Sequence, residues 1–274
     1  MKQTADSSKK ETVALVLGSG GARGWAHVGV LQVLAEWGVK PDIVVGASIG
    51  SVAGALYAAG ALARAEQVAV SLDWRQTLKL FIEMSLPYGG LLKGTRVMEL
   101  LRGMIPVETI ERLPVRFAAV ATDLRAQKEY VLAKGDLLGA IRASIAIPGV
   151  FVPVEYRKGV WLVDGGLTNP LPVSVARAMG ATRVIGVDIN LAGGAGGGTH
   201  AKGGAPSLME VMIRSFRVVE STITRERLLR EPPDILIQPR VDSIGTLEFN
   251  KGLEAIRAGR LAAREQAEAI RSLL

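Results

Sequence analysis

Gly46-Ala47-Ser48-Ile49-Gly50 sets a serine between two glycines. The apolar run Ile43 to Val45 precedes it, and small residues at helical spacing (Val52, Ala53, Ala55, Leu56, Ala59) follow. A serine on such a strand-to-helix turn stands clear of the backbone, where its hydroxyl can attack a carbonyl. The glycines permit the tight dihedrals and leave room for a substrate. In a chain with 32 glycines the pattern alone is weak, and the flanking strand and helix give it weight.

An attacking serine needs a group to take its proton and donors to hold the oxyanion. Gly18-Ser19-Gly20-Gly21-Ala22-Arg23-Gly24 follows a buried strand, Val13 to Leu17, and opens a helix from about Trp25 to Trp37. Backbone N–H groups at that helix start suit negative charge developing on a carbonyl oxygen. A dinucleotide site is the rival, but it wants an acidic residue at the end of the next strand, where Gly46-Ala47-Ser48 stands. The Lys-Ser/Thr ending of a phosphate loop is missing too. The oxyanion hole is therefore the favoured reading. A carboxylate, Asp164, ends a later strand pattern and is followed by Gly165 and Gly166, which let the backbone turn sharply.

The elements that position these groups begin as a βαβα unit, which implies an α/β fold with a parallel sheet. A helix pattern runs from Ala61 to Leu72. Trp74 to Gly94 then mixes bulky apolar residues with Pro87-Tyr88-Gly89-Gly90, and reads as either a lid or a core helix with a turn. Further strands are expected at Val115 to Ala121 and Lys128 to Leu132, with a short helix at Leu137 to Ser144. A hairpin turns at Arg157-Lys158-Gly159, and a strand runs from Arg183 to Asp188. Leu191 to Pro206 is rich in glycine. Ser207 to Arg230 is a long helix with a basic polar side, Asp234 to Ile237 a last strand, and Leu253 to Leu274 an amphipathic closing helix. Asp123 is expected to support the site or form a turn, and Asp188 to cap a strand.

The chain has 274 residues, enough for a substantial core, and shows neither an internal repeat nor a domain boundary. The expectation is a disordered tail over residues 1–11 and one domain over residues 12–274. Charged residues interrupt every apolar stretch before it reaches membrane-spanning length. The polar start lacks the apolar core of a signal peptide, and the absence of Cys excludes thiolate nucleophiles and zinc-cysteine sites. These features fit a cytoplasmic setting. A net charge of +7 favours anionic partners such as acidic lipid headgroups, but the basic residues are dispersed, which argues against nucleic acid. No His, Asp and Glu cluster at metal-ligand spacing, so neither a catalytic metal nor a cofactor is expected.

The motifs together resemble the patatin-like phospholipases, in particular the bacterial members near the neuropathy-target-esterase type. The matching stretches are Gly18 to Leu31, Gly46 to Gly50, Ala121-Thr122-Asp123, Ala143 to Gly149, and Asp164-Gly165-Gly166. Two positions depart from the common form, with Ser19 where many relatives have Gly and Gly166 where many have Ala. The resemblance implies a three-layer α/β/α sandwich with a mainly parallel sheet, and a Ser-Asp dyad that hydrolyses a lipid acyl ester. Ser48 would attack and Asp164 would accept its proton. The loop carrying Gly18, Gly20, Gly21, Ala22 and Arg23 would form the oxyanion hole, and Gly46, Gly50, Gly165 and Gly166 would support the motif. Arg23 would fix that loop or meet an anionic headgroup, unless it forms only a salt bridge at the helix start.

Serine acyl transfer ordinarily uses histidine as base, and the chain has two. His27 sits among apolar neighbours within the first helix. His200 follows Ser48 and Asp164, the order of an α/β-hydrolase triad, but its glycine-rich loop would position a base poorly. The dyad is preferred over the triad, provided that burial raises Asp164 toward neutrality. A binding module that kept the fold without turnover is the non-enzymatic alternative.

Overall fold

The computed structural model describes residues 11–81, 92–191 and 206–272, with the side chains of residues 78–81 outside that description. Residues 1–10 of the expected tail, residues 82–91 of the expected lid and His200 lie outside the described residues.

Three short apolar segments form the centre of the sheet: β1 (Val13–Leu17), β2 (Ile43–Ala47) and β3 (Arg116–Asp123). They are joined by β4 (Lys128–Leu132), β5 (Val154–Arg157), β6 (Val160–Asp164), β7 (Arg183–Val187) and β8 (Ile235–Ile237). Hydrogen bonding links the strands along the path β5-β6-β3-β2-β1-β7-β8, with β4 also on β3. β1 pairs with β2 and β7, β2 with β3, and β7 with β8, all parallel. The β3–β4, β3–β6 and β5–β6 pairings are antiparallel, so the sheet is mainly parallel, as expected, and mixed at its β3–β6–β5 end.

Strand residues alternate between two apolar cores, which is why both faces need covering. Leu15, Leu17, Val44, Phe117 and Ala119 face one core; Ala14, Val16, Ile43, Val45 and Ala118 face the other. The first is covered by α1 (Trp25–Glu36), α2 (Ile49–Ala58), α3 (Leu62–Ser71), α5 (Thr95–Met104), α6 (Leu137–Ser144) and α9 (Gly252–Glu265). The second lies under α7 (Val173–Ala178), with Leu228 of α8 (Leu208–Arg230) against it. α4 (Trp74–Phe81) and α10 (Ala267–Arg271) complete the helices. The single closing helix expected from the sequence is broken at Gln266 into α9 and α10.

α1 and α9 pack backbone to backbone. A β-carbon on Gly29 would collide with the Ile256 carbonyl oxygen, and one on Gly259 with that of Ala26.

Two features of the sheet place the site. The chain reverses its direction across the sheet at β1, running outward through β2 and β3 before returning to β7. The loops after β1 and β2 therefore leave adjacent parallel strands at the same, carboxyl end of the sheet. Along β3, Ala47 pairs with Val120 and, one residue on, Ala121 pairs with Asp164. β4 overlaps both partners and must take the opposite edge. β2 and β6 thus meet end to end on one edge of β3, with Ser48 just past one end and Asp164 at the other.

Candidate active site

Ser48 leaves β2 with φ 52° and ψ −126°, a conformation an L-residue adopts at a cost of about 1–3 kcal/mol and keeps only where its surroundings dictate it. The surroundings here are tight. A side chain on Gly46 would strike the Gly50 backbone, and one on Gly50 would strike the Leu17 carbonyl. Ser144, at the end of α6, holds the turn from the other side. Its hydroxyl accepts from Ser48 N–H at 2.9 Å and donates to the Val120 carbonyl at 2.6 Å.

The Ser48 hydroxyl donates to Asp164 Oδ2 at 2.5 Å. The other carboxylate oxygen, Oδ1, accepts from Gly166 N–H at 2.8 Å, which starts the 3₁₀ turn Gly165–Leu167. The backbone of Asp164 is fixed as well, by its N–H on the Ala146 carbonyl and by the Thr122 hydroxyl on its own carbonyl. Asp164 is fully buried, and burial pushes its carboxyl up to about 7 against the opposing hydrogen bonds from Ser48 and Gly166.

Of the loop amides, Gly18 N–H is bonded to the Val187 carbonyl, Ser19 N–H to that of Pro170, and Ala22 N–H to that of Thr246. Among the described residues none accepts from Gly20 or Gly21 N–H. Gly21 has φ +61°, and a β-carbon there would run into Thr246. Arg23 is buried beneath the loop, its Nε donating to the Ile244 carbonyl at 2.8 Å and its Nη1 to Asn190 Oδ1 at 3.3 Å. It makes no ion pair among the described residues, and burial lowers it to about 10, so it remains a cation that ties the loop to its neighbours.

His27 is spent on the same loop. Its Nε2 donates to the Gly18 carbonyl at 2.8 Å, and burial holds the ring down at about 4, so it is neutral. Asp123 forms a turn, accepting from Arg125 and Ala126 N–H, and Asp188 does the same for Asn190 and Leu191 after β7. No metal-binding cluster exists among the described residues.

Ser48 opens onto an apolar cavity of about 120 Å³, walled by Val28, Ile49, Val52, Leu56, Val97 and Leu101. Leu92 bridges to Phe151 at its rim, which fixes one end of the segment expected to be a lid.

Sequence reasoning missed the work of Ser144, although it lay inside one of the matching stretches. An isolated polar residue in a helix gives no signal of which loop it will meet.

Patatin-like phospholipase is the family that matches, over residues 15–177. An uncharacterized NTE family protein of Mycobacterium tuberculosis is 43% identical over 183 residues, 67% of this chain and 50% of its own length. A second from the same species is 34% identical over 278 residues, 94% of this chain and 47% of its own. The chain thus spans about half the length of these relatives. The crystal structure of VipD from Legionella pneumophila shares the fold, with a TM-score of 0.53 at 15% identity, covering 96% of this chain and 67% of that one. The family match runs through the Ser48 turn and the Asp164 turn alike, and the chain belongs to the patatin-like phospholipase family.

Proposed function

We propose that the chain hydrolyses carboxylic esters of lipids, whether phospholipid, lysophospholipid or neutral lipid, through a Ser48–Asp164 dyad. The observation that carries this is the 2.5 Å hydrogen bond from a strained serine to a buried, proton-avid carboxylate at the mouth of an apolar cavity. Ser48 Oγ attacks the ester carbonyl as Asp164 takes its proton, and the N–H groups of Gly20 and Gly21 receive the oxyanion. Asp164 returns the proton to the departing alcohol, then takes one from the water that attacks the acyl-enzyme. Asp164 then passes that proton to Ser48 Oγ as the fatty acid departs, which restores the hydroxyl and the carboxylate. The cavity holds the acyl chain, and the basic surface favours contact with an anionic membrane.

Labelling with a fluorophosphonate probe and mapping the modified peptide tests the dyad. Labelling at Ser48 that persists in His200→Ala and fails in Asp164→Ala is expected. Loss in His200→Ala overturns the dyad in favour of a triad, and no labelling of the folded protein favours a binding module.

Two further outcomes follow. Asp164 acts as a base only when ionised, so kcat/KM rises with pH through about 7, measurable with a soluble ester. Val52→Phe narrows the cavity beside Ser48 and should cost long-chain p-nitrophenyl esters about tenfold to a hundredfold in kcat/KM, while acetate changes little. Equal losses on both would place the acyl chain elsewhere.

A further inference from the structure

Most of α8 is exposed, and its two fully buried residues are Glu220 and Thr224. Thr224 turns its hydroxyl back to the Glu220 carbonyl at 2.8 Å. Glu220 itself is 2% exposed and makes no ion pair among the described residues. Ionising such a group is costly, so it needs either a proton or a reason.

Its carboxyl lies between two loops of the site. Glu220 Oε1 occupies the space that a β-carbon on Gly166 would take, and that same β-carbon would lie 3.1 Å from Asp164 Oδ1. On the other side, Ser19 acts on the carboxyl in favour of its ionised form, and the Ser19 hydroxyl accepts from Asn190 Nδ2 at 3.4 Å. Ser19 and Gly166 are the two positions at which the motifs depart from their common form. Both meet Glu220.

The charges that face Glu220 come from each element around it. Asp164, after β6, repels a negative charge there. Arg23, under the glycine loop, and Arg217, one turn earlier on α8, attract it without pairing. Asp188, after β7, and Asp242 face Arg23 and offset its charge.

We propose that Glu220 is a positioning residue that bridges the glycine loop and the Asp164 turn as a neutral acid, and that its ionisation closes the site on the alkaline side. The proposal rests on the Ser48–Asp164 reading above. As a neutral acid, Glu220 fills the gap beside Gly166, meets Ser19, and leaves Asp164 to carry the single negative charge a base requires. As an anion, it sets a second negative charge close to the amides of Gly20 and Gly21, opposing the one that develops on the carbonyl oxygen. Burial first and Asp164 second hold Glu220 up to about 8, while burial holds Asp164 up to about 7. Asp164 must lose its proton and Glu220 must keep one, so the pH profile is a bell with its top between those values.

The test compares kcat/KM against pH for wild type and Glu220→Gln on a soluble short-chain ester, with Ser48→Ala as the blank. Glutamine keeps the shape and the acceptor for Ser19 but cannot ionise. The falling limb near pH 8 should disappear in Glu220→Gln while the rising limb persists. A falling limb that stays in place overturns the proposal, and so does a folded Glu220→Gln protein inactive at every pH. Infrared titration of the buried carboxylic acid band provides an arm that needs no turnover. In Ser48→Ala, Asp164 contributes to the band as well, so at pH 7 the band should be smaller in Ser48→Ala/Glu220→Gln by the share of one carboxylic acid. A band of equal size in the two variants overturns the proposal. Failure of the esterase reading has a different signature: wild type no faster than Ser48→Ala.

Discussion

Ser48→Ala is expected to lower kcat for ester hydrolysis by roughly four orders of magnitude or more, and Asp164→Asn by a similar factor. The two groups act as a unit through one short hydrogen bond, so the double variant should be little worse than either single one. Losses that multiplied would mean that Ser48 and Asp164 act independently. The Asp164→Asn variant should move stability in the opposite direction. Asp164 has a folded pKa raised from 3.8 to about 7, so between those values the native state binds a proton that the unfolded chain has already released. Its contribution to stability is present in full below pH 3.8, declines as pH rises, and is lost above about 7. At pH 8 the wild type therefore maintains a buried charge that asparagine does not impose, and Asp164→Asn should melt at a higher temperature than wild type. At pH 4 the advantage should shrink. A variant that melts lower at both pH values would show that Asp164 serves the fold rather than the reaction.

Gly259→Leu is the second large effect, and it lies far from the chemistry. Where α9 crosses α1, position 259 has no room for a β-carbon, because the Ala26 carbonyl occupies that place. The obstacle is backbone on backbone, so no rotamer change relieves it, and a cost of about 3 kcal/mol or more is expected. Urea denaturation should show the loss as a lower midpoint. Gly103, near the end of α5, is the contrasting case, since a β-carbon there would meet no described atom within 4 Å. Gly103→Ala should instead raise stability by up to about 1 kcal/mol through helix propensity. If both changes had the same sign, close approach would not be the cause.

What was legible in the sequence was local. The Ser48 turn, the glycine loop and Asp164 each sit on a strand whose apolar run announces it, and the β5–β6 hairpin is signalled by Arg157-Lys158-Gly159. That β6 docks antiparallel on the edge of β3 already used by β2 depends on which strand edge remains free, and composition carries no trace of that choice. The residues that complete the site share this difficulty. Ser144 acts on a backbone 96 positions away, and Glu220 reads as one more charge on a basic helix until its burial against Gly166 is known. That the amides of Gly18, Ser19 and Ala22 are taken depends on the carbonyls of Val187, Pro170 and Thr246, which are distant along the chain.

β3 acts as a ruler for the serine and the aspartate. Two neighbouring rungs, Val120 and Ala121, fix their separation, although 116 positions divide them along the chain. Nothing in that spacing refers to the chain between α2 and β3, where α3 and α5 supply one wall of the cavity. This division of labour makes the wall a replaceable part. If the proposed function holds, exchanging residues such as Val68, Val97 and Leu101 alters which acyl chain fits while the distance from Ser48 to Asp164 is kept, so selectivity and rate can be altered separately in one fold.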